Sequence, residues 1–347
     1  MPTVTAKTKS TSRLRMHYLE SGPEDGVPVV LIHGNLSTAL FYQPLMESMP
    51  DRYRVIAPDM RGFGDTERVP LDASRSVHDW ADDTASLLEA LGITAQPHLA
   101  GWSTGGAAIA FYAMDRPVAS LTFIDPVSPW GFGGTFRDGK PCFADFAGSG
   151  GGAAAPELVQ RLRDGDSGSE SQFSPRSVMN AFYWRADHRE PKEREDALVD
   201  ALLKSAIGDD YYPGDLVASS NWPGLAPGEH GILNALSPKY TDWSGIVDLS
   251  PKPPVLWTHG LADQVVNDNS PLDLATLGQL GVVPGWPGVD VIPPQPMRTQ
   301  IEDVLTSYRE KGGRVEMEMF EGSGHFPVAD AFDRWRKLYV DFLASVR

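Results

Sequence analysis

Six consecutive residues, Gly101-Trp102-Ser103-Thr104-Gly105-Gly106, carry what nucleophilic catalysis by a hydroxyl requires. A short β-rich run, His98–Ala100, precedes them, and they open an apolar helical pattern over Ser103–Met114. Glycines two before and two after the serine allow a tight strand-to-helix turn, which lifts the Ser103 hydroxyl clear of a sheet and sets it at a helix N-terminus. The same turn aims the Thr104 amide at the oxyanion that forms when the hydroxyl attacks a carbonyl. A second donor is expected where an earlier strand ends, at His33-Gly34-Asn35, and the Asn35 amide is the candidate. Capping the segment Leu36–Leu45 is the plainer role for Asn35. His33 itself reads as a hydrogen-bonded structural histidine.

An activated serine needs a base. Of eight histidines, His325 in Gly322-Ser323-Gly324-His325-Phe326-Pro327 is the best placed, because it follows the last β-rich run at its C-terminal end. His259, just before Gly260, is the second choice. The base needs a carboxylate to orient it and to stabilise its imidazolium. Asp263 follows the strand before the histidine's own, and Asp125 follows the strand after the serine's. Both sit at strand C-termini, so Asp263 is favoured on chain order and Asp125 stays the alternative.

The elements that must position these groups alternate in type. Leu14–Glu20 reads as an antiparallel opening strand and Val27–Ile32 as a strand buried on both faces. Arg54–Ala57, Leu121–Ile124, Pro254–Thr258 and Arg314–Phe320 read as further strands. Helical stripes fall at Ser76–Leu91, Pro296–Lys311 and Ala329–Val346. This predicts an α/β fold, a mostly parallel central sheet with helices on both faces, formed by 1–128 and 251–347. Between them, 129–250 shows no strand pattern but helical ones at Pro156–Arg163, Ser174–Ala186 and Arg194–Ile207, and it is too long for a plain loop. We expect it to be a large, mainly helical cap. Trp102, and Trp184 and Trp222 of that insertion, are the candidate substrate-binding aromatics. The proline-rich stretch Pro284–Pro296 is expected to be stiff and extended and to help frame the entrance.

HGN at 33–35, DMRGFGDT at 59–66, GWSTGG at 101–106, GLADQVV at 260–266 and GSGHFP at 322–327 together resemble the α/β-hydrolase-fold enzymes. The resemblance covers 1–128 and 251–347. It implies a Ser103, Asp263, His325 triad, a cap over the pocket and no cofactor or metal. Haloalkane dehalogenases and epoxide hydrolases of this fold carry an aspartate where Ser103 stands, which disfavours both chemistries. Cleavage of a carboxylic ester or lactone of a small, apolar molecule is the expected reaction. The same triad would serve an amidase, an aminopeptidase, a C–C bond hydrolase or an acyltransferase, and a non-hydrolytic ligand-binding member of the fold is the alternative from a different class.

Composition narrows the partners. With 30 Lys plus Arg against 46 Asp plus Glu, the net charge is −16 and no basic run offers a phosphate-tracking patch, so nucleic acid is not expected. The one cysteine, Cys142, allows no internal disulfide and suits a cytoplasmic setting. No apolar stretch suggests a secretory signal or a membrane span. Nothing in the sequence sets the oligomeric state.

Overall fold

The computed structural model describes residues 2–346. The first part of the chain supplies six strands: β1 (Thr5–Ser10), β2 (Arg15–Ser21), β3 (Val27–Ile32), β4 (Tyr53–Pro58), β5 (His98–Trp102) and β6 (Ser120–Ile124). Helices α1 (Gln43–Ser48), α2 (His78–Ala90) and α3 (Thr104–Asp115) connect them. The chain then passes through 129–250 and returns with β11 (Val255–Gly260), α8 (Leu274–Gln279), α9 (Met297–Glu310), β12 (Val315–Phe320), α10 (Pro327–Asp330) and α11 (Phe332–Ser345). Eight strands form one sheet in the order β1-β2-β4-β3-β5-β6-β11-β12. From β4 to β12 all neighbours are parallel, while β1 and β2 are antiparallel additions at one edge.

Burial follows the strand composition. Val29–Ile32, Leu99–Trp102, Ser120–Ile124 and Val255–Gly260 are buried throughout, as central parallel strands covered by helices on both faces must be. Helix α3 is apolar all round and buried over Thr104–Ala113, so side chains such as Phe111 stabilise the layer by about 1.5–3 kcal/mol each. The two sheet edges differ. Every residue of β1 is exposed or half-exposed, with Lys7 and Lys9 in its ladder, whereas β12 alternates Glu316 and Glu318 with methionines.

Residues 129–250 hold α4 (Pro156–Arg163), α5 (Pro175–Phe182), α6 (Lys192–Leu202) and α7 (Ile232–Ala235). They also hold four short strands, contrary to the reading of this region as free of strands: β7 (Ile207–Gly208) with β8 (Tyr212–Pro213), and β9 (Leu216–Ala218) with β10 (Leu225–Pro227). Strands of two or three residues are too short for an alternation to register. Helix α6 stops at Leu202, so the pattern read through Ile207 overran it. The helix expected over Ala329–Val346 is split at Ala331, whose φ of −130° is not helical. The stretch 284–296 is not extended throughout. Gly285 and Gly288 have φ of 75° and 103°, and turns there let the Trp286 indole donate to the Ile292 carbonyl at 2.9 Å. Among the described residues, no helix is long and apolar enough to cross a membrane.

Candidate active site

Strand β5 ends at Trp102 and α3 begins at Thr104, so Ser103 makes the whole turn, with φ 54° and ψ −117°. A non-glycine residue in that region costs of order 1–3 kcal/mol and persists only where the surroundings enforce it. Here they do. A Cβ on Gly101 would lie 2.2 Å from the Gly105 carbonyl oxygen, and one on Gly105 would lie 2.3 Å from the Ile32 carbonyl oxygen. The Ser103 amide donates to the Ile124 carbonyl (3.0 Å), which ties the turn to β6.

The loop after β3 reaches the same place. A Cβ on Gly34 would come within 2.9 Å of the Ser103 Cβ. Within the HGN loop only Asn35 is half-exposed, and within the GWSTGG turn only Ser103 is. Neither the Asn35 nor the Thr104 amide is engaged by a protein acceptor, so both can donate to a developing oxyanion. The Asn35 side chain folds back to accept from the Leu36 amide (3.0 Å). His33 is structural, as expected: its Nδ1–H donates to the Gly34 carbonyl (2.7 Å), its Nε2 accepts from the Met60 amide (2.9 Å), and burial pushes its pKa down to about 4.

His325 follows β12 and is buried. Its Nδ1 lies 2.8 Å from Asp263 Oδ2, while its Nε2 makes no hydrogen bond within the protein. Of the two competing aspartates, Asp263 makes this contact. Its other oxygen accepts from the Val265 and Val266 amides at 2.6 and 3.2 Å. Burial pushes the Asp263 carboxyl up, but the adjacent His325 and His259 rings and those amides together hold it below the usual carboxylate range. Asp125 lies behind this pair, wholly buried. No hydrogen bond joins the Ser103 hydroxyl to His325. The two are tied through Trp102, whose indole N–H donates to the His325 carbonyl at 2.8 Å. Serine–histidine bonds often tighten only when substrate arrives.

The three candidate aromatics are not one set. Trp102 is buried against Phe326, with ring centroids 4.2 Å apart, and against Tyr183. Trp184 is also buried, and lines a cavity of about 230 Å³ with Phe41, Arg194, Phe326 and Phe332. Neither Ser103 nor His325 lines that cavity. Trp222 donates to the Pro284 carbonyl (2.9 Å) and packs on Gly278.

Two residues that the sequence reading passed over hold the site to the insertion. Asp330 accepts from the Ser323 hydroxyl, from the Gly324 amide (2.8 Å) and from the Arg185 amide (2.7 Å), so one carboxylate grips the His325 loop and the segment after α5. Tyr183 donates to the Leu36 carbonyl (2.7 Å), gripping the Asn35 loop. An acid in the first turn of a helix five residues after His325 was a usable signal; Tyr183 offered none.

The chain matches the model of the alpha/beta hydrolase family over residues 29–338. It is 39% identical over 100 residues to a cis-3-alkyl-4-alkyloxetan-2-one decarboxylase from Xanthomonas campestris, covering 27% of this chain and 33% of the relative. It is 26% identical over 203 residues to carboxylesterase YbfK from Bacillus subtilis, covering 56% and 66%. The chain thus spans only a third of the length of the first of these relatives. An esterase, RhEst1, from Rhodococcus sp. superposes over 99% of both chains with a TM-score of 0.60 at 18% identity, which speaks for the fold. With the family model covering most of its length, the chain belongs to the alpha/beta hydrolase family, a family of enzymes.

Proposed function

We propose that the protein is a serine hydrolase that cleaves a carboxylic ester or lactone of a small, apolar molecule through an acyl-enzyme. The observation that carries this reading is the buried His325–Asp263 hydrogen bond of 2.8 Å, beside a strained serine turn flanked by two unengaged amides. His325 Nε2 takes the Ser103 proton as Oγ attacks the carbonyl, and the Asn35 and Thr104 amides hold the oxyanion. Collapse expels the alcohol with the proton from His325. Water, deprotonated by the same ring, then releases the acid. Asp263 holds the imidazole in the correct tautomer throughout and stabilises its charged form.

Residues 129–250 serve in this reading as a cap, gripped at Tyr183 and Arg185 and contributing aromatic surface to substrate choice. Lactones belong beside esters because the oxetan-2-one in the name of one relative is itself a strained lactone. The test is mass spectrometry of the intact protein after a fluorophosphonate probe, followed by a panel of esters, lactones and amides. An adduct on wild type that is absent from Ser103→Ala, with ester or lactone turnover, is the expected result. Lack of an adduct would sink the serine mechanism, and turnover of amides alone would move the assignment to another bond.

A further inference from the structure

Behind the Asp263–His325 pair lies a second acid that the mechanism above does not use. Asp125 follows β6 with a left-handed backbone, φ 41°, a conformation rare outside glycine and worth a functional explanation. Its amide donates to the Thr258 carbonyl (2.9 Å), and its Oδ1 accepts from the Gly260 amide (2.8 Å), which fixes the side chain across the end of β11. Its Oδ2 is fully buried and receives no hydrogen.

The groups facing it are few. Carboxyl oxygens of Asp125 and Asp263 and a ring nitrogen of His259 all lie within 4.8 Å of one another, and His325 and Asp330 stand farther out. His259 Nε2 lies 3.5 Å from Asp263 Oδ2 and 3.8 Å from Asp125 Oδ1, but its Nε2–H is donated to the Val266 carbonyl (2.9 Å) and its Nδ1 has no partner. Burial pushes its pKa down to about 4, so near neutral pH the ring carries no full charge to offset a second acid. That donated proton also makes Nε2 unavailable to a metal ion. Asp263 is supplied with donors on both oxygens, whereas Asp125 Oδ2 has none. Two like charges this close in a buried place cannot both persist.

We propose that Asp125 is a positioning residue for the hydrolytic site, a neutral carboxylic acid whose O–H is donated to the Asp263 carboxylate and fixes the face that Asp263 turns to His325. The inference rests on the Ser103, His325, Asp263 reading. An O–H on Oδ2 gives that atom a partner and leaves one negative charge, on Asp263, to balance the imidazolium. Its proton is not transferred during turnover. Burial, and after it the charge of Asp263, push the Asp125 carboxyl well above the ordinary range, which agrees with the geometry.

Asparagine can replace such an acid, because its amide donates from the same position. Asp125→Ala should lower kcat for an ester by about 10- to 100-fold with KM nearly unchanged, since the loss is one of alignment. Asp125→Asn should restore kcat to within about threefold of wild type, its amide supplying the missing donor. The decisive reading needs no substrate. Folding must keep a proton on Asp125 that the unfolded chain gives up above its ordinary carboxyl pKa, so wild type loses stability as pH rises from there towards the raised folded value. The melting temperature of Asp125→Asn minus that of wild type should therefore climb as pH rises from 5 towards that folded value. A flat difference means that Asp125 is ionised in the fold and overturns the proposal, whether or not the alanine variant folds. Loss of activity in Asp125→Asn as deep as in Asp263→Asn overturns it too, by making Asp125 the orienting carboxylate. Failure of the ester reading would show instead as a missing fluorophosphonate adduct, with the melting curves untouched.

Discussion

The C-terminal edge of the sheet and the 129–250 segment are held by different kinds of contact. At the sheet edge, each functional group is fixed by backbone of its own loop or of the adjacent strand: Asp263 by the Val265 and Val266 amides, Asp125 by Gly260, Ser103 by the Ile124 carbonyl. The inserted segment meets the rest of the molecule through a few long-range bonds, Tyr183 to Leu36 and Arg185 to Asp330 among them. Chemistry placed on the first kind of support stays rigid whatever the second does. Substrate selection placed on the second can change without disturbing the chemistry. The difference can be broken at named residues.

The largest effect is expected at the serine. Ser103→Ala should reduce ester turnover by more than about a thousandfold, with the melting temperature unchanged, because the hydroxyl packs into no core. Next comes the orienting acid: Asp263→Asn should lower kcat by about 10³- to 10⁴-fold through loss of the correct tautomer, read by steady-state kinetics on the same ester. Within the inserted segment the effect should pass from rate to stability. Trp184 is 2% exposed, so Trp184→Ala should cost about 3–5 kcal/mol in a denaturant titration, whereas the half-exposed Trp222 should cost less when truncated. If Trp222→Ala slows bulky and small esters alike, the substrate-choice role expected of it falls. Tyr183→Phe leaves the Leu36 carbonyl short of one donor and should cost about 1 kcal/mol, with kcat for a small ester almost unchanged.

The smallest effect lies on strand β2. His17 Nδ1 bonds Asp59 Oδ2 at 2.7 Å, and that bond raises the histidine pKa above 6.5 despite partial burial. A raised histidine contributes stability that is complete below pH 6.5 and fades as pH rises through the folded value. His17→Gln should therefore destabilise more at pH 5.5 than at pH 8.5, by a few tenths to about 1 kcal/mol because the ring is partly exposed. Equal losses at both values would remove the charge from the account.

What could be read in advance divides along the same line. Ser103, His325 and the competition between Asp263 and Asp125 were visible because each sits just past a β-rich run, with glycines beside Ser103, Asp263 and His325 and a proline after Asp125, a pattern confined to a few residues. Chain order favoured Asp263 over Asp125, but the contact itself was not visible, since it depends on which carboxyl points at a ring from another strand. Asp330 and Tyr183 act on partners about 145 residues away by chain, and no window of sequence holds both ends. Strand β1 was missed for another reason. Its six residues lie in the open on both faces, so no apolar alternation marks them.

That open strand has a consequence for the molecule among its copies. A sheet edge offers a row of unpaired backbone groups to any other edge it meets, and such pairing is the first step of ordered aggregation. Two copies meeting β1 to β1 would bring Lys7 and Lys9 of each into one ladder, and two meeting β12 to β12 would do the same with Glu316 and Glu318. Like charges facing across a ladder are destabilising. Within one copy Lys7 is paired with Glu20, Glu316 with Arg314 and Glu318 with Arg334, which softens that repulsion, so the general repulsion of a chain of net charge −16 at low ionic strength adds to what Lys9 supplies.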